Sequence, residues 1–116
     1  LADYTGFFPK FDNIGEWILS LMEQVIDEST ANRVHSHIEE FDGSSSPPGF
    51  AAVVLLDESH LTAHCYSEKG WLSIDCFTCG STNPGAIIDA MHSAIEEVSP
   101  GIKLEKRKTE ARFTNG

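Results

Sequence analysis

The sequence contains no apolar run near the roughly 20 residues that a membrane-spanning helix requires. It is poor in positive charge: 8 Lys and Arg stand against 18 Asp and Glu, a formal net charge of −10. Proteins bind a polyanion by displacing its counterions with Lys and Arg, so nucleic acid is not the expected partner. The acidic balance serves solubility first and also suits a cationic substrate. Cysteine is scarce and odd in number, at three. That number does not make a disulfide framework, and a reducing, cytoplasmic compartment is the expectation. No secretory signal is visible, and Leu1 reads as a trimmed start. No internal repeat is present, and the one low-complexity stretch is the short loop 43–48 (GSSSPP). There is no Gly-x-Ser-x-Gly elbow and no ordered Ser/Asp/His set, so a hydrolase triad is not supported.

What remains is a globular composition, 41% hydrophobic and 22% charged, at a length that makes residues 1–116 one domain. Residues 1–8 carry aromatics and Thr and read as a first strand, ended by Pro9. Ile14, Trp17, Ile18, Leu21, Met22, Val25 and Ile26 fall at helical spacing, which predicts a helix over 14–28 with Asp12 or Asn13 as its cap. Trp17 and Met22 are taken as core. Residues 33–41 read as a strand with Val34 and Ile38 on one face and His35, His37, Glu39 and Phe41 on the other. Residues 49–57 are nearly all apolar and read as a strand covered on both faces. A turn at 80–84 leads to a second helix reaching Val98, with Pro84 at its first position and Ile87, Met91, Ala94, Ile95 and Val98 on one side. Residues 102–108 read as an edge strand guarded by Lys and Arg, followed by a loose tail from Thr109. This order gives an α+β, two-layer sandwich: an antiparallel sheet covered on one face by two helices.

Residues 50–80 hold the chemistry. Strands 60–66 and 71–78 form a hairpin around Ser67-Glu68-Lys69-Gly70. If Ser67 pairs with Gly70, Tyr66 faces Trp71, His64 faces Ser73, His60 faces Phe77 and Glu58 lies across from Cys79. One face then carries His60, Thr62, His64, Tyr66, Trp71, Ser73, Asp75, Phe77 and Cys79. The other carries Leu61, Ala63, Cys65, Leu72, Ile74 and Cys76 and belongs against helices. The same register is expected to bring His64 and Cys79 close to the 58–59 peptide bond. A hydroxyl, an imidazole and a thiol around one backbone bond would equip it for nucleophilic and acid–base chemistry. Cys76 and Cys79 do not make a metal site. Zinc wants four ligands, the others nearby are only His60, His64 and Cys65, and residues three apart on a strand point to opposite faces. Cys65 and Cys76 are expected to be buried core residues. His35, His37 and His92 have no motif support and are expected to be surface or hydrogen-bonded residues, with Asp75 structural.

The run DESHLTAH, followed by a turn and then IDCFTCG, resembles the prokaryotic S-adenosylmethionine decarboxylase proenzymes, a family of small self-processing enzymes. The match is specific over residues 50–80, and the lead-in with Phe41 and the second helix also fit the family layout. The resemblance implies self-cleavage between Glu58 and Ser59, giving residues 1–58 and 59–116, with Ser59 converted to a pyruvoyl cofactor. The substrate amine would form a Schiff base with it, and the ketone and its amide would act as the electron sink for decarboxylation. The resemblance makes Ser59, His64 and Cys79 the catalytic residues, with His64 helping in processing and Cys79 donating a proton. An ordinary thiol, of pKa about 8.5, has that proton to give at neutral pH. It places Phe41, Tyr66 and Glu68 around the substrate, aromatic faces and acidic surface both favouring a sulfonium.

Three features depart from the family pattern: Tyr66 stands where many members have Trp, Ala51 where many have a Ser thought to assist processing, and the loop 43–48 is longer. Some relatives decarboxylate arginine or ornithine, which keeps a basic amino acid as the alternative substrate. An inactive homologue acting as a binding or regulatory partner is the alternative of another class. The family architecture also implies a homodimer with sites built from both copies, and polyamine (spermidine) synthesis as the pathway.

Overall fold

The computed structural model describes residues 1–79 and 82–112. Part of the expected 80–84 turn, Gly80 and Ser81, therefore lies outside the described residues, as does the end of the tail. In chain order the elements are β1 (Ala2–Thr5), α1 (Ile14–Asp27), β2 (Arg33–Phe41), β3 (Gly49–Leu56), β4 (His60–Tyr66), β5 (Trp71–Phe77), α2 (Pro84–Val98) and β6 (Lys103–Arg107). The strands form one six-stranded sheet in the order β2-β3-β4-β5-β1-β6. Every neighbouring pair is antiparallel. The expected α+β class, the hairpin and its register all hold: Tyr66 pairs with Trp71, His64 with Ser73 and His60 with Phe77.

Alternation decides which face is dry. Phe50, Ala52, Val54 and Leu56 of β3, Leu61, Ala63 and Cys65 of β4, and Leu72 and Ile74 of β5 are buried in one cluster with Ile18, Met22 and Ile26 of α1 and Ile87, Ile88, Met91 and Ile95 of α2. Both helices thus lie over the same face. Met22 is core as expected, and Trp17 packs at its margin. α2 begins as a capped helix should: the Asn83 side chain accepts hydrogen bonds from the Gly85 and Ala86 amides, and Pro84 supplies a fixed φ where no donor is needed. α1 begins otherwise. Asn13 occupies the cap position at φ 61 and makes no side-chain cap bond, so the expected cap does not form. No described helix is long and apolar enough to cross a membrane.

Val34 corrects the reading of β2. The strand bulges between Arg33 and His35, which throws Val34 out to 62% exposure. Ser36 and Ile38 take the inward positions instead, and the Ser36 hydroxyl donates to Glu23 of α1 at 2.6 Å. Arg33 bonds Glu23 and Asp27 and pins the strand's start to the helix.

The other sheet face carries no helix. Its side chains form rows across the strands: Phe41, Gly49, Tyr66 and Trp71 at one end, and His35, Leu55, His60 and Phe77 at the other. Gly49 is fixed by its surroundings, since a Cβ there would lie 1.8 Å from the Cys65 carbonyl oxygen.

Candidate active site

β3 and β4 pair over seven positions, from Gly49 with Tyr66 to Leu55 with His60. Residues 56–59 turn the chain at the tip, where the Leu56 amide donates to the Ser59 carbonyl at 2.9 Å. The Glu58–Ser59 peptide bond therefore sits in a hairpin tip at the edge of the core. β5 ends one residue short of the expected Thr78, at Phe77, and Cys79, two residues further on, lies beside this tip. The Cys79 amide donates to Ser59 Oγ at 3.0 Å. An N–H donated to a hydroxyl oxygen fixes that oxygen in place and stabilises the alkoxide formed as its proton leaves.

Two loops brace the tip. Asn32, in the α1–β2 loop, donates its side-chain amide to Asp57 at 3.1 Å. Thr30 and Thr82 share a hydroxyl–hydroxyl bond of 2.8 Å, and Thr78 donates to the Thr82 carbonyl. Glu58, Ser59 and Cys79 line one open pocket of about 270 Å³ between these loops. No sequence motif marks Thr30, Asn32 or Thr82; only folding brings them to the tip.

His64 is elsewhere, contrary to the expectation that it lies close to the 58–59 bond. It is exposed on the helix-free face and lines a separate pocket of about 340 Å³ with Asp3, Tyr66, Trp71, Ser73 and Glu105. At roughly 3.3 Å per residue, five residues of β4 put it roughly 17 Å from Ser59 along the strand. The expected substrate residues are further still. Tyr66, seven residues on, is roughly 23 Å away. Phe41 shares its row through Gly49, and Glu68 is exposed in the turn just beyond. Trp71, absent from the expected site residues, lies edge-on to Tyr66 with ring centroids 5.9 Å apart. An indole thus stands one strand away from Tyr66. The structure therefore separates the candidate residues into two groups: Glu58, Ser59 and Cys79 at one end of the sheet, and Phe41, His64, Tyr66 and Glu68 towards the other.

The thiols separate as expected. Cys65 is buried and Cys76 partly so, while Cys79 is exposed, and all three are free. Burial pushes the thiols of both Cys65 and Cys76 up to about 11. At pH 8 a thiol of pKa about 11 is thiolate in about one molecule per thousand. In native protein Cys79 should accordingly react alone with iodoacetamide at pH 8, with three alkylated residues appearing only after denaturation; fast alkylation of Cys65 would contradict this burial. Because both pKa values are raised on folding, their contribution to stability is complete below pH 9.0 and is lost as pH rises through about 11. A falling urea midpoint over that window is the check. His37 bonds Glu39 at 2.7 Å, and His92 bonds the Tyr4 hydroxyl at 3.0 Å on the helix side of the sheet. His35 and Asp75 are exposed.

The sequence model of the family described as S-adenosylmethionine decarboxylase matches residues 1–108. The S-adenosylmethionine decarboxylase proenzyme of Sulfurihydrogenibium sp. is 33% identical over 101 residues, covering 86% of this chain and 71% of that protein. Proenzyme 2 of Bacillus cereus is 41% identical over 78 residues, 66% of this chain and 60% of its own. The proenzyme of Archaeoglobus fulgidus is 35% identical over 83 residues, 72% of this chain and 70% of its own. For some relatives, the Bacillus cereus protein among them, the match spans less than two thirds of their length. A match along nearly the whole chain, with the Glu-Ser-His step at a hairpin tip, makes this chain a member of the S-adenosylmethionine decarboxylase family, whose enzymes are carboxy-lyases.

Proposed function

We propose that this chain cleaves itself between Glu58 and Ser59 and then decarboxylates S-adenosylmethionine, supplying the aminopropyl donor of polyamine synthesis. The observation that carries the reading is the Cys79 amide bonded to Ser59 Oγ at 3.0 Å in the hairpin tip. Ser59 Oγ attacks the Glu58 carbonyl carbon as the bond to the Ser59 nitrogen breaks, so the amide becomes an ester and residue 59 gains a free amine. A base takes the Ser59 α-proton, the Cβ–Oγ bond breaks, and Glu58 departs as a carboxylate. Residue 59, now dehydroalanine, rearranges to an imine, and water releases ammonia to leave a ketone. Seven β3–β4 register pairs hold the two fragments together after the cut.

The surroundings of residue 59 fit a pyruvoyl group. The Leu56 amide already holds the residue 59 carbonyl, and the exposed Cys79 is a neighbour on the tip. The pyruvoyl group supplies an electrophilic ketone and an electron sink for loss of CO₂. Cys79 delivers the proton that replaces CO₂. Phe41, Tyr66 and Glu68 hold the adenosine end, and the aromatic faces and net negative charge favour the sulfonium.

The separation of the two groups supports a homodimer. The helix-free sheet face exposes Phe41, Leu55, Tyr66 and Trp71, each between 37 and 45%. Stacking two such faces about a two-fold axis covers these residues and lays the His64 end of one sheet over the Ser59 end of the other. Each site is then completed by the partner's His64, Phe41 and Tyr66.

Mass analysis of denatured protein, with CO₂ release assayed on S-adenosylmethionine, arginine and ornithine, tests the function. Two fragments, 1–58 and 59–116, and release from S-adenosylmethionine alone are expected. Release only from an amino acid would overturn the substrate. A chain that stays intact under all conditions would overturn the reading in favour of an inactive binding partner.

A further inference from the structure

His64 has a cross-strand neighbour on each side. On β3 it faces Ala51, which has no polar atom, and on β5 it faces Ser73. Ser73 in turn faces Asp3 of β1, and its hydroxyl donates to Asp3 Oδ1 at 2.8 Å. Ser73 is half-buried, and Asp3, His64 and Ser73 line the same pocket. Directly opposed residues on one sheet face have Cβ atoms roughly 4.5–5.5 Å apart, within reach of an imidazole and a hydroxyl. The carboxylate takes the one hydrogen of Ser73, so the lone pairs of its oxygen remain to accept from a ring N–H.

We infer that Ser73, oriented by Asp3, is the positioning residue for His64 during self-processing. The inference rests on the cleavage reading above and adds a residue to it. A hydroxyl that can only accept holds the ring hydrogen on the nitrogen facing it. The second ring nitrogen is thereby left with a free lone pair to take the α-proton of Ser59 of the partner subunit across the proposed two-fold axis. The electrons of that C–H bond form the Cα=Cβ bond, and those of the Cβ–Oγ bond leave with the Glu58 carboxylate. Without Ser73 the wrong tautomer and ring orientation compete, and the ester persists.

The test follows cleavage of freshly synthesised full-length chains. Hydroxylamine traps the ester, because it cuts an ester but spares an amide. Ser73→Ala is expected to slow fragment formation by roughly tenfold or more and to accumulate hydroxylamine-sensitive chains. Ser73→Thr retains the hydroxyl and should cleave at close to the parent rate. Ala51→Ser/Ser73→Ala returns a hydroxyl to the other flank of His64 and should recover most of the loss, which a mere packing defect at 73 would not do. In a His64→Ala background, Ser73→Ala should have no further effect. Parent-like cleavage by Ser73→Ala overturns the inference, as does a loss equal in the presence and absence of His64. If the parent chain itself fails to cleave, the proposed function has failed instead. Melting curves of each variant identify any that do not fold. For those, the Ala51→Ser recovery decides: fragments regained support the role, and none regained overturns it.

Discussion

Chains carrying Ser59→Ala, co-expressed with chains carrying His64→Ala, should regain self-cleavage that neither variant shows alone. Each variant by itself is expected to be deficient, Ser59→Ala completely and His64→Ala by the roughly 10²–10⁴-fold typical of a lost general base. In a heterodimer one of the two sites joins an intact Ser59 to an intact partner His64, while the other lacks both. With equal expression and random pairing, about half of the Ser59-bearing chains enter such a dimer and should be cut. The reason is geometric. Roughly 17 Å of β4 lies between the two residues, and a strand paired on both sides cannot fold back to close that gap within one chain. The second sheet of the proposed dimer, inverted by a two-fold axis, would close it. If co-expression yields no more fragments than His64→Ala alone, the site is not shared between copies, and His64 either acts on its own chain or has no part in cleavage.

Ser59→Ala and Cys79→Ala should separate cleavage from turnover. Ser59→Ala removes the hydroxyl proposed to attack the Glu58 carbonyl, so the chain should remain a single 12.7 kDa species with no CO₂ release. The lost acceptor for the Cys79 amide costs about 1 kcal/mol, too little to unfold the domain, and an unchanged circular dichroism spectrum should accompany the block. Cys79→Ala acts differently, because the contact to Ser59 Oγ is made by the backbone N–H and survives the substitution. Fragments should still form. Turnover should fall by roughly 10²-fold or more, as expected when a positioned proton donor is lost. Mass analysis of the fragments and CO₂ release on one preparation measure both. Equal loss of cleavage and turnover would remove Cys79 from the role of proton donor.

Much of this was legible in the chain itself. Apolar spacing located both helices and alternation assigned the faces of β4 and β5, because burial on one face imposes a period of 3.6 or of 2, whereas the nearly continuous apolar run of β3 reads as covered on both faces although its outer face carries no helix and leaves Leu55 exposed. The turn at 67–70 fixed the β4–β5 register, since in a hairpin a single pairing determines all the others. The misreadings came where local pattern yields to packing. Val34 has an inward-facing sequence position, but the bulge that lets Arg33 reach Glu23 and Asp27 moves it outward. Asn13 is a capping residue by type, yet its backbone turns left-handed and its side chain does not cap.

Taken alone, the amino-acid order determined which elements form, which sheet face is dry and which residues could react, because these depend on neighbours within a turn or a hairpin. The three-dimensional arrangement decided the rest. It placed Cys79 on Ser59 through a loop twenty residues away, brought Asn32 and Asp3 from distant strands and loops, and held His64 far from the bond it was expected to serve. Those distances are set by strand order and strand length, and neither can be read from a residue and its near neighbours.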